Sequence, residues 1–198
     1  MIRIISGKYK SRRINTPAGQ NTRPTTSRVR EAVFSALTNA YSREWNCNGL
    51  SGARVWDAFA GSGALGFEAL SRGAEVCFFT DVNFSAIKCL KANASLLGLA
   101  KDEAIISKCS CLSEDVCRKA FESVNPNILL IDAPYAVEPK DLFDIVDTLS
   151  TLRTKAGSTD KLLVYFEHSK DIFDTGWADL ECVYSKTLGD IKSDIFLV

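Results

Sequence analysis

Three acidic residues stand where apolar runs stop: Asp57 after Val55-Trp56, Asp81 after Phe78-Phe79-Thr80, and Asp132 after Ile128-Leu129-Leu130-Ile131. Asp57 opens the stretch Asp57-Ala-Phe-Ala-Gly61-Ser-Gly63-Ala-Leu-Gly66, so Gly61, Gly63 and Gly66 satisfy G-x-G-x-x-G, with Asp81 twenty residues past Gly61. Read literally, this fits a nicotinamide dinucleotide site, where glycines let a pyrophosphate approach a helix N-terminus. Two details favour a different ligand. An acid ends the strand, and three residues intervene before the first glycine. A carboxylate there repels a pyrophosphate but suits the ammonium of a methionine moiety. The glycines then give close passage to S-adenosylmethionine, and Asp81 accepts from its ribose hydroxyls.

The third acid opens Asp132-Ala133-Pro134-Tyr135. Alone, Asp-x-Pro is a plain turn signal. Beside a glycine-rich loop it gains a second reading. A carboxylate and a rigid backbone carbonyl can accept both hydrogens of an exocyclic amine, which aims the nitrogen lone pair at a sulfonium methyl. Tyr135 offers a face on which a base can stack.

Such groups need a scaffold that brings strand ends together. Residues 1–26 read as two short strands and a loop, and Ser27 as the cap of a helix with Val29, Val33, Ala36, Leu37 and Ala40 on one face. Beyond residue 52 strands and helices alternate: strand 54–57, helix 64–71, strand 75–80, helix 84–97, strand 104–107, helix 113–121, strand 127–131, helix 139–152 and strand 161–167. Segments 181–186 and 191–198 read as a closing antiparallel pair, with no further helix. Repeated β-α units predict an α/β fold: a mostly parallel, doubly wound sheet with helices on both faces. Ligands of such sheets bind beyond the C-terminal strand ends, where the three acids fall.

The 198 residues carry 24 basic and 24 acidic side chains, yet the charge is unevenly placed. Arg3, Lys8, Lys10, Arg12, Arg13, Arg23, Arg28 and Arg30 give residues 1–30 a charge of +8 with no acid, leaving −8 on the remainder. Interleaved Ile4, Ile5, Tyr9 and Ile14 and the breaks at Gly7 and Pro17 mark an ordered basic arm that faces a polyanion. An apolar content of 46% excludes a disordered chain, and no apolar run reaches the roughly 20 residues of a membrane helix. Export is not expected. Seven cysteines without framework spacing and a lone His168 predict free thiols in a reducing compartment and no metal site.

Asp57–Gly66 together with Asp132–Tyr135 resembles the amino-methyltransferase branch of the Rossmann-like S-adenosylmethionine enzymes. The stretches Ile4-Ile-Ser-Gly-Lys-Tyr-Lys, Arg12-Arg13, Arg23-Pro-Thr-Thr-Ser-Arg-Val-Arg-Glu-Ala-Val-Phe34 and Gly61–Gly73 closely resemble the bacterial small-subunit (16S) ribosomal RNA guanine-N2 methyltransferases. The resemblance implies a class I methyltransferase fold of seven strands, one of them antiparallel near the C-terminus, with a basic N-terminal hairpin arm at 1–26 and the methyltransferase domain at 27–198. It implies S-adenosylmethionine as methyl donor, yielding S-adenosylhomocysteine, and the guanine N2 of rRNA in assembled or partly assembled small subunits as acceptor. Asp132, Ala133, Pro134 and Tyr135 are then the catalytic tetrapeptide. Asp57, Ala58, Phe59, Gly61, Ser62, Gly63, Asp81, Val82, Cys109 and Ser110 would hold the cofactor. Lys8, Lys10, Arg12, Arg13, Arg23, Arg28 and Arg30 would grip RNA phosphates. A cytoplasmic monomer is expected.

Two positions depart from the family pattern. Ala133 replaces the first proline of Asp-Pro-Pro-Tyr, and Cys109 or Ser110 stands where an adenine-contacting Asp is usual. The core alone also suits adenine N6 or a protein amide as acceptor, and a non-catalytic RNA-binding assembly factor is a further alternative.

Overall fold

The computed structural model describes residues 1–17, 27–169 and 175–198. Strand β3 (Arg54–Asp57) sends Val55 and Trp56 to opposite faces, and both are fully buried, so both faces of the sheet are covered. It pairs in parallel with β4 (Val76–Asp81) on one side and β6 (Ile128–Asp132) on the other. β5 (Ala104–Lys108) extends the sheet beyond β4, and β7 (Leu163–Ser169) extends it beyond β6. The antiparallel hairpin of β8 (Glu181–Leu188) and β9 (Ile191–Leu197) completes a seven-stranded sheet of order β5-β4-β3-β6-β7-β9-β8. The chain winds outward from β3 to β5, then returns to β6. The switch point therefore lies between β3 and β6, where open sheets of this kind hold their ligands.

Helices α1 (Ser27–Trp45), α2 (Ala64–Ser71) and α3 (Phe84–Leu97) pack on the face that carries Val55, Leu130 and Tyr165. Helices α4 (Glu114–Val124), α5 (Pro139–Lys155) and the short α6 (Thr175–Ala178) cover the face of Trp56, Leu129 and Phe166. Local signals set the helix ends. The Asn83 side chain caps α3 by accepting the Ser85 N–H at 2.8 Å, and Gly98 closes it in the left-handed conformation. Pro139 opens α5, where its missing N–H costs no helical hydrogen bond. The expected elements are present with boundaries shifted by up to three residues. α6, four residues long, lies below the length that periodicity detects.

β1 (Ile2–Arg3) and β2 (Arg13–Ile14) form a separate two-stranded antiparallel sheet. The arm is docked, because Ile4, Tyr9 and Ile14 are buried in the same core as α1 and α2. Glu68, fully buried on α2, accepts the N–H groups of Ile5 (2.8 Å) and Ser6 (3.1 Å) and pairs with Arg72. Gly7 sits against the end of α2 so closely that a Cβ there would strike the Ser71 carbonyl.

The buried stripe of α1 is Arg30, Val33, Phe34, Leu37 and Tyr41, rotated from the face expected around Val29, Ala36 and Ala40. The large rings of Phe34 and Tyr41 take the core positions, and the small alanines are left half-exposed. This corrects the reading of Arg30 as a phosphate contact. It is 3% exposed and donates to the Arg3 carbonyl at 2.6 Å, so its guanidinium ties the arm to α1. Among the described residues, no helix is long and apolar enough to cross a membrane.

Candidate active site

Asp57 lies beneath the glycine-rich turn. Its Oδ2 accepts the Gly66 N–H at 3.0 Å, and only 1% of the residue is exposed. Burial pushes its carboxyl up to about 7; the Gly66 bond opposes the rise and the charge of Asp81 adds to it. Asp57 holds the turn from below.

The three glycines have different tasks. At Gly61 (φ +53°) an added Cβ would meet nothing within 4 Å, so the turn is open on its outer side. Gly63 adopts φ +79°, and a Cβ there would collide with Phe67 and Leu90. Gly66 presses against Phe79 and Cys77, which brings α2 close to β4. Ala58 is buried and donates to the Leu130 carbonyl, while Phe59 and Ser62 are half-buried at the turn.

Asp81 ends β4 with both carboxylate oxygens engaged. Oδ2 accepts the Gly61 N–H at 2.9 Å, and Oδ1 accepts the Asn83 N–H at 2.7 Å. A carboxylate has about four acceptor positions, so each oxygen retains capacity for a ligand hydroxyl. The next strand is tied on by the Cys109 N–H, which donates to the Asp81 carbonyl at 3.1 Å. Cys109 is half-buried and Ser110 exposed.

Asp132 ends β6 and is half-buried. Strand register places it beside Glu167 on β7, while Asp57 pairs with Leu130 two residues earlier. In a strand, alternate residues share a face, so Asp57, Asp132 and Glu167 all project to the α1–α3 side. Burial raises the Asp132 carboxyl well above the usual carboxylate range, and the charges of Glu167 and Asp57 raise it further. Below them the hydroxyl of buried Tyr165 donates to Glu167 Oε2 at 2.7 Å. Ala133 packs at the edge of the opposite core, and Val137 N–H closes a turn on the Pro134 carbonyl at 3.0 Å. Tyr135 is 75% exposed.

Val82, Phe84, Leu112 and Tyr135 are four of the seven exposed large apolar side chains among the described residues, and all follow C-terminal strand ends. Apolar exposure concentrated at the C-terminal edge of one sheet is a feature of ligand surfaces. The sequence reading included Val82 and Tyr135 but missed Phe84 and Leu112. It also missed Thr80, whose buried hydroxyl joins Trp56 Nε1 (2.9 Å) to the Ala58 carbonyl (2.8 Å). Lys8, Lys10, Arg12, Arg13 and Arg28 are exposed; Arg23 lies outside the described residues. His168 is buried, with its two ring nitrogens at 2.7 Å from the Ser169 carbonyl and 3.0 Å from Asp194 Oδ2, away from any catalytic task.

A doubly wound sheet with an open glycine turn and acids ending β3, β4 and β6 is the architecture of the Rossmann-like methyltransferase fold. The chain belongs to the family described as Conserved hypothetical protein 95, whose model matches residues 2–197. It is similar to Ribosomal RNA small subunit methyltransferase D of Escherichia coli (strain K12), with 30% identity over 84% of this chain and 74% of that one. A Bacillus subtilis (strain 168) relative, YlbH, is 44% identical over 100 residues, half the length of each chain. Among solved structures, a hypothetical protein of Thermus thermophilus superposes with a TM-score of 0.73 at 25% identity, over 98% of both chains.

Proposed function

We propose that the protein transfers a methyl group from S-adenosylmethionine to the exocyclic N2 amine of a guanine in small-subunit rRNA. The observation that carries this reading is the placement of Asp132, across the β3–β6 switch point from the open Gly61 turn and the fixed Asp81. The family and the name of the E. coli relative support rRNA as the acceptor.

The residues present fit the cofactor. The outer side of Gly61 is free of atoms for the methionine part, Asp81 is aimed by two N–H groups toward the ribose, and exposed Val82 beside Cys109 and Ser110 suits the adenine. When bound, S-adenosylmethionine supplies an electrophilic methyl group. The chain's own work is positioning. Asp132 accepts one amine hydrogen and the Ala133 carbonyl the other, while Tyr135 stacks on the base. With its carboxyl raised by burial, Asp132 is also suited to take the proton the amine sheds after methylation. Orientation and exclusion of water carry most of the rate.

Lys8, Lys10, Arg12, Arg13 and Arg28 grip phosphates and orient the RNA without reading its sequence. Residues 1–26 serve as the RNA arm and 27–198 as the methyltransferase domain. The protein works as a cytoplasmic monomer on assembled or partly assembled subunits. Incubation with labelled S-adenosylmethionine and unmethylated small subunits tests this reading. N2-methylguanosine in the rRNA digest supports it. Absence of transfer from protein that binds S-adenosylhomocysteine overturns it and favours a non-catalytic RNA-binding factor.

A further inference from the structure

An exocyclic amine flanked by a ring nitrogen occurs in both guanine and adenine. In guanine the N2 amine adjoins N1–H, a donor. In adenine the N6 amine adjoins an unprotonated N1, an acceptor. A carboxylate and a carbonyl that hold only the amine cannot distinguish the two. Discrimination needs a group beside the amine site that accepts and does not donate.

Glu167 stands at that place. It is the register partner of Asp132 on the neighbouring parallel strand, so the two carboxylates leave the sheet side by side on one face. Glu167 is half-buried near the C-terminal end of its strand. From below, Tyr165 Oη donates to Glu167 Oε2 at 2.7 Å, which fixes the carboxylate from a fully packed ring. We propose that Glu167 accepts the guanine N1–H while Asp132 holds the adjacent N2 amine, so that the Asp132–Glu167 pair selects guanine over adenine. This rests on the methyltransferase reading and adds the specificity element that the Asp132–Tyr135 tetrapeptide lacks.

The electrostatics agree with the pairing. Burial first, and then the charge of Glu167, drive Asp132 toward its neutral form in the free protein. Guanine brings adjacent N1–H and N2–H donors to this pair, which relieves the repulsion. Adenine brings one lone pair against a carboxylate and offers it no donor. A site built to hydrogen-bond a donor rejects the analogue that lacks it far more strongly than a merely apolar pocket does.

The test uses the full chain with unmethylated small subunits and labelled S-adenosylmethionine, followed by mass analysis of rRNA nucleosides. Glu167→Gln presents either an acceptor or a donor beside the amine. The expected result is a fall in kcat/KM for N2-methylguanosine of about tenfold to a hundredfold, with a rise in the ratio of N6-methyladenosine to N2-methylguanosine and an unchanged Kd for S-adenosylhomocysteine. Tyr165→Phe keeps the ring and removes the hydroxyl. It should raise KM for subunits with little change in cofactor affinity. N2-methylguanosine formed at the wild-type rate and ratio by both variants overturns the proposal. Wild-type protein that methylates no rRNA guanine overturns the methyltransferase reading instead, so the two failures are distinct.

Discussion

The carboxamide of Asn93 donates to the Ser62 carbonyl at 3.0 Å, and the same side chain is bonded to both backbone groups of Asn15, at 2.8 and 3.1 Å. One fully buried residue of α3 thus joins the basic arm to the glycine-rich turn. Removing it leaves buried backbone groups without partners on two segments at once. Asn93→Ala should lower stability by about 1–3 kcal/mol and weaken S-adenosylhomocysteine binding. Urea denaturation and calorimetric titration check the two effects.

Asp132→Ala should reduce methyl transfer by at least about a hundredfold while leaving affinity for S-adenosylhomocysteine, which lacks the sulfonium charge, nearly unchanged, because Asp132 lies across the switch point from the turn. Single-turnover assays alongside a binding titration separate these outcomes. A parallel loss of cofactor binding would place Asp132 in the donor site.

Stability should fall as pH rises from about 4 to about 8. Asp57 and Asp132 have folded-state pKa values raised above the ordinary 3.8, so the folded chain holds protons that the unfolded chain has released. Their contribution is complete below the unfolded value and is lost as pH climbs through the folded values. Asp132→Asn removes one of these titrations and should flatten the profile of Tm against pH.

Binding of S-adenosylmethionine should release protons near neutral pH. A cation placed at the strand ends stabilises the charged forms of Asp57 and Asp132 and pulls their raised values down. S-adenosylhomocysteine lacks the sulfonium charge and should release fewer. Titrations in buffers of different ionisation enthalpy measure the difference, and equal release by both ligands would contradict it.

Arg12 and Arg13 are exposed on the arm, and Arg30 is buried beneath it. Reversing the charges of Arg12 and Arg13 should weaken RNA binding and make its salt dependence shallower by about 0.7 per lost phosphate contact. Arg30→Ala should instead destabilise the fold by about 1–3 kcal/mol, since its bond to the Arg3 carbonyl is lost. Filter binding across a salt series and thermal melts distinguish the two kinds of arginine.

The sequence made the strand ends legible because Asp57, Asp81 and Asp132 each terminate an apolar run, and at Asp81 and Asp132 burial does relax. Arg30 was misread because charge near a chain terminus looks solvated, whereas its burial depends on how α1 rotates to seat Phe34 and Tyr41. Glu167 carried no local signal. Its meaning depends on which residue lies opposite it on β6, and strand register is a nonlocal property. Asn93 and Glu68 were unreadable for the same reason, since their partners lie 78 and 63 residues away in the chain.

The sheet order has a consequence for how such a protein can change. Every strand-end group proposed for the methyl donor comes from β3, β4 and β5, on one side of the crossover, and every strand-end group proposed for the acceptor base comes from β6 and β7, on the other. The two half-sites meet at a seam but share no strand. Substitutions along the β6–β7 edge can therefore retarget the acceptor while the donor half stays intact, and a lineage can explore new substrates without rebuilding its chemistry.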